Sequence, residues 1–90
     1  MSASSEHRRT VVLPAGVPLH ARPAGSLVRT AAGLDATVTL SANGKTANAA
    51  SILQVLGLGA EGGSSVEVVT AGPGASDALD VIAGLLETLE

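Results

Sequence analysis

The chain has 90 residues, with eight acidic and five basic side chains, a formal charge of −3, and no Phe, Tyr, Trp or Cys. Such a length holds one hydrophobic core and leaves little for a second. The missing aromatics and the missing basic stripe argue against a nucleic-acid partner, and the missing Cys removes disulfides, thiolate chemistry and cysteine-based zinc sites.

Residues 1–8 are polar and charged and lack the apolar centre of a secretory signal. They read as a disordered extension, with His7 an exposed bystander. No stretch approaches the length of a membrane span, so a cytoplasmic protein with no membrane insertion is expected. Residues 9–90 read as a single domain. Arg9 to Leu13 is β-branched and closed by Pro14 and Gly16, as a first strand should be. From Ala21 onward, Ala24, Leu27, Val28 and Ala31 take the spacing of one apolar helix face, and Gly33 ends it. Thr37 to Leu40 alternates polar and apolar residues. Asn43-Gly44 tolerates positive φ at a tight turn, and Lys45 to Asn48 returns as the second arm of a hairpin.

Ser51 is placed to cap a short helix over Ile52 to Leu56, with Ile52 and Val55 as its buried face and Gly57 and Gly59 as its stop. Ser65 to Ala71 is a last strand with Val66 and Val68 on one side. Ser76 or Asp77 then caps a longer helix carrying Leu79, Ile82, Ala83, Leu86 and Leu89 on one face. The order βαββαβα with half-apolar strands and amphipathic helices predicts an α+β open-faced sandwich, a four-stranded antiparallel sheet covered on one face by three helices.

The stretch Leu19-His20-Ala21-Arg22-Pro23-Ala24-Gly25 stands out in a chain so poor in charge. If His20 precedes the helix, the amides of Ala21 and Arg22 lack partners four residues back, and Pro23 costs little in a first turn that needs no donor there. Free amides at the positive end of a helix dipole suit phosphate, and Arg22 adds a charged donor fork. An imidazole at this point is either a solvated or capping residue or a nucleophile. No Walker-type glycine loop and no carboxylate cluster accompanies it. Neither cofactor nor metal is expected, and a phosphoryl group would have to come from another protein.

LHARPA followed by NGKTANAASILQVLGLGAEGG resembles HPr, the histidine-containing phosphocarrier family of the phosphoenolpyruvate-dependent sugar phosphotransferase system, over about Arg9 to Glu90. The resemblance implies that His20 is phosphorylated through Nδ1, that Arg22 and the amide of Ala21 bind the phosphoryl group, and that the protein is a monomeric carrier rather than a turnover enzyme. The implied donor is phosphorylated enzyme I and the implied acceptor an enzyme IIA domain. A nitrogen-regulatory relay, a dihydroxyacetone kinase system or a purely regulatory module are the alternatives. Ser51 matches a second phosphorylation position that an HPr kinase/phosphorylase uses in some bacteria, but an N-cap explains the residue without any kinase. Gly25, Leu53, Leu56 and Gly57 correspond to the surface on which partners dock, although Leu56 also has the spacing of a core residue. Pro18 stands where the motif usually carries Gly, so a proline-fixed φ replaces a free one beside His20.

Overall fold

In β4 (Ser65–Ala71) the side chains of Val66, Val68 and Thr70 are buried, while those between them face outward or are half-covered. The same alternation runs through β2 (Thr37–Ala42), where Val38, Leu40 and Ala42 point inward. These faces share one side because the antiparallel register sets Leu40 opposite Val68 and Val11 opposite Val66. The computed structural model describes residues 6–89, with β1 (His7–Val12) and β3 (Lys45–Asn48) completing a four-stranded sheet of order β1-β4-β2-β3. All its pairings are antiparallel. Helices α1 (Ala21–Ala32), α2 (Ile52–Gly57) and α3 (Ala75–Glu87) cover the inward face, so the expected βαββαβα sandwich is the observed one. Its core consists of Val, Leu, Ile and Ala, with the buried hydroxyl of Thr70 donating to the carbonyl of Ala75 at 2.7 Å.

Four local expectations change. His7 and Arg8, assigned to the extension, pair with Thr70 and Val69 as the start of β1, whereas residues 1–5 lie outside the described residues. A polar edge strand gives no hydrophobic alternation to read, and Arg9 ties it to α3 through a 2.8 Å ion pair with Asp80. His7 is exposed there. Helix α3 begins earlier than Ser76, with Gly74 at φ 72° as its N-cap, and Asp77 sits in its first turn, where a carboxylate suits the dipole. Helix α2 continues through Gly57, and the left-handed turn that ends it is at Gly59, φ 63°. Finally, Ile52 is 37% exposed, and Val55 of α2 and Leu58 behind it are what face the core.

The β2–β3 turn also holds the end of α2. Asn43 has φ 54° and Gly44 φ 74°, the pair of positive values that a two-residue hairpin turn requires. From that position the Asn43 side-chain amide donates to the carbonyls of Leu58 at 2.8 Å and Gly59 at 3.0 Å. An Asn43→Ala variant loses both bonds and places a Cβ residue without local compensation in the left-handed region. We expect it to cost about 2 kcal/mol, read as a shift in the urea midpoint. A change below about 0.5 kcal/mol would mean that water satisfies these carbonyls equally well.

Candidate functional site

Helix α1 starts as its sequence demands. His20 is the N-cap in extended backbone, φ −92° and ψ −172°, and its carbonyl accepts the first helical bond, from the amide of Ala24 at 2.9 Å. Its imidazole makes no capping bond and is exposed. The amides of Ala21 and Arg22 take part in none of the bonds that close this end of the helix, which is the ordinary condition of first-turn donors. Arg22 is exposed and has no carboxylate partner among the described residues. An imidazole, two free amides and a free guanidinium therefore share one turn of backbone. Such a group can receive a tetrahedral anion and stabilise it once attached.

The loop before His20 carries Pro18 without disturbing this arrangement. The amide of Leu19 donates to Ala60 at 3.0 Å, that of His20 to Pro18 at 2.9 Å, and that of Val17 to Pro14 at 3.1 Å. Leu19 and Ala24 are buried on either side of the exposed His20, so the ring is carried out from a fixed backbone.

Helix α2 packs against α1 and presents a second set of residues. Ser51 is its N-cap, and its hydroxyl accepts a long 3.4 Å bond from the amide of Gln54. The Gln54 side chain reaches back to accept from the amide of Asn48 at 2.8 Å. Leu53 is 80% and Leu56 38% exposed, so both belong to the surface, and with Ile52 they make an apolar strip on a short helix. Gly57 lies at its end, with its carbonyl accepting from Lys45 Nζ at 3.4 Å. Gly25 is half-buried in α1, and the Arg29 guanidinium lies back along the helix over it.

Sequence reasoning missed one feature here. Arg22, Pro23, Ser26 and Arg29 form one wall of an open groove of about 550 Å³, whose other wall is Leu85, Thr88 and Leu89 at the end of α3. The signal lay in the i, i+4, i+7 spacing of Arg22, Ser26 and Arg29, but the opposing wall comes from a helix more than fifty residues away. Among the described residues no three His, Cys, Asp or Glu side chains cluster to hold a metal ion, and no helix is long and apolar enough to cross a membrane.

Comparison with known proteins bears on this geometry. The family pattern described as the PTS HPr component phosphorylation site matches residues 7–88. The phosphocarrier protein HPr of Streptomyces coelicolor is 46% identical over 69 residues, which are 76% of this chain and 74% of that protein. HPr of Vibrio cholerae is 34% identical over 83 residues, 92% of this chain and 98% of its own. Among solved structures, HPr from Bacillus anthracis superposes with a TM-score of 0.87 at 30% identity, covering 92% of this chain and 99% of that one. With a family match spanning both the strand before the histidine and the last helix, this chain belongs to the HPr family of phosphocarriers of the phosphotransferase system.

Proposed function

We propose that His20 accepts a phosphoryl group from phosphorylated enzyme I and passes it to an enzyme IIA domain that serves sugar uptake. The observation that carries this reading is the exposed, unbonded imidazole at the N-cap of α1, beside the free amides of Ala21 and Arg22 and the unpaired Arg22 guanidinium. In the transfer a ring nitrogen attacks phosphorus, an N–P bond forms, and the donor's bond to the same phosphorus breaks. The product carries negative charge where the helix dipole and Arg22 are positive, which stabilises the loaded state. That stabilisation has to stay modest for the group to move on, and an exposed site surrounded by water keeps it so.

The apolar strip of Ile52, Leu53 and Leu56 on α2, with Gly57 at its end and Gly25 on the neighbouring helix α1, supplies the docking surface in this reading. A strip this small suits brief encounters, in which each partner must leave after transfer. Ser51 acts in the fold as the N-cap of α2.

The test is to incubate the protein with enzyme I, magnesium and phosphoenolpyruvate and to follow phosphorus NMR and the acid lability of the product. An acid-labile phosphoramidate is expected. Its absence, with enzyme I active on another carrier, would sink the proposal. Arg22→Ala should fold normally, because the side chain is exposed and unpaired, yet accept phosphoryl groups about 10- to 100-fold more slowly. A wild-type rate in stopped-flow or quench measurements would remove Arg22 from the site.

A further inference from the structure

The turn Glu61-Gly62-Gly63-Ser64 touches the loop before His20 with backbone alone. A Cβ built on Gly62 would stand 2.5 Å from the nitrogen of Gly16, 2.7 Å from that of Val17 and 2.9 Å from the oxygen of Pro14. All three neighbours are main-chain atoms, so no side chain can swing aside. Gly62 is not in the left-handed region, unlike Gly63 at φ 84°, so the glycine here answers to close approach rather than to backbone conformation.

Backbone bonds close both ends of the same contact. The amide of Leu13 donates to Ser64 at 2.9 Å and that of Gly63 to Leu13 at 3.0 Å, while the amide of Leu19 donates to Ala60 at 3.0 Å. Leu13, Leu19 and Ala60 are buried. The segment from Ala60 to Ser64 thus holds the His20 loop before its first turn, at its apex and at the residue next to His20.

We propose that Gly62 is a positioning residue for phosphoryl transfer, seating the Pro14–Val17 turn so that Leu19 and hence His20 are held in register with the amides of Ala21 and Arg22. This rests on His20 being the phosphoryl acceptor. A Cβ at residue 62 has to push the loop outward, and a displacement of about 1 Å at a reacting group can cost on the order of 100-fold in rate.

The test compares Gly62→Ala with Gly72→Ala, whose Cβ meets nothing within 4 Å and which is strained at φ 95°, at the opposite end of the sheet. Gly62→Ala should lower the saturated rate of phosphoryl acceptance from phosphorylated enzyme I about 10- to 100-fold. The enzyme I concentration at half-saturation should stay put, since the strip on α2 is untouched, and the His20 ring resonances should shift. Gly72→Ala should do neither. A wild-type rate and unshifted ring resonances in Gly62→Ala would overturn the proposal.

If even the wild-type protein takes no phosphoryl group, the functional reading fails and the ring and Leu19 amide resonances of the two variants alone decide the positioning role. Should Gly62→Ala not fold, hydrogen exchange on the wild-type protein decides instead. The amides of Leu13, Leu19 and Gly63 should be protected together while those of Ala21 and Arg22 exchange fast. A Leu19 amide as fast as that of Arg22 would show that the loop is not held.

Discussion

A His20→Ala variant accepts no phosphoryl group from phosphorylated enzyme I, while its unfolding free energy stays within about 0.5 kcal/mol of wild type. The two halves of this expectation come from the same geometry. The imidazole is exposed and makes no capping bond, so its removal breaks nothing that holds α1 in place. The carbonyl of residue 20 still accepts from Ala24, and the amide still donates to Pro18. What disappears is the nitrogen that has to form the new bond to phosphorus, and neither a guanidinium nor a backbone amide can replace it as nucleophile.

Acid treatment sorts the outcomes. A residual acid-labile signal in the variant would move the acceptor role to His7, the other histidine, which lies exposed at the start of β1. A residual acid-stable signal would instead point to a hydroxyl such as that of Ser51 and would favour a regulatory role over the relay. An undiminished acid-labile signal overturns the assignment of His20, and complete loss of that signal together with a retained fold establishes it, whatever acid-stable product remains.

The parts of this molecule that were legible in the sequence are those decided by near neighbours. Thr37 to Leu40 and Ser65 to Ala71 alternate because one sheet face is buried, and Asn43-Gly44 can turn because both residues tolerate positive φ. The candidate site was legible for the same reason: His20, Ala21, Arg22 and Pro23 occupy consecutive positions, and the free amides follow from helix geometry alone. Where near neighbours do not decide, reading failed. His7 and Arg8 belong to β1 through pairing with β4, which polar residues on an edge strand do not announce. Gly74 rather than Ser76 starts α3 because the Gly72–Gly74 turn sets the chain's direction first. In a helix of six residues the buried face can rotate, so Ile52 came out exposed while Val55 and Leu58 went in.

The contacts around the candidate site are longer-range still. The groove beside Arg22 needs the end of α3, and the seat of the His20 loop needs Gly62 to meet Gly16 and Val17. No local pattern marks such a meeting, because a glycine chosen for close approach looks in sequence like any loop glycine. Glu61-Gly62-Gly63 therefore reads as a turn, and only the fold distinguishes the residue that needs positive φ from the one that needs space.

Truncating Leu27 to alanine should cost about 3–5 kcal/mol, the upper range for a buried leucine. Leu27 is fully buried, and the other buried residues of α1 are Ala24 and Ala31, so it is the one large side chain the helix commits wholly to the core. The loss has two parts, the transfer of its methyl groups and the cavity left behind, and the second depends on whether neighbours can collapse. Here they collapse poorly: the core has no aromatic ring to tilt, and many of its members are alanines that already end at Cβ. A domain of this size has about 5–10 kcal/mol in total, so about a third of the stability or more goes, and the thermal midpoint should fall by about 12 °C or more. Leu27→Met, which nearly conserves volume, should lose less than about 1.5 kcal/mol, and Leu53→Ala, on the exposed strip, less than about 0.5 kcal/mol. Urea unfolding of the three variants measures this ladder, and a loss below about 1.5 kcal/mol for Leu27→Ala would mean that the core closes over the gap. Below its own midpoint the Leu27→Ala protein should still accept phosphoryl groups at His20. The bonds that place His20 run from Leu13 and Leu19 to the segment Ala60–Ser64, and Leu27 is no part of them.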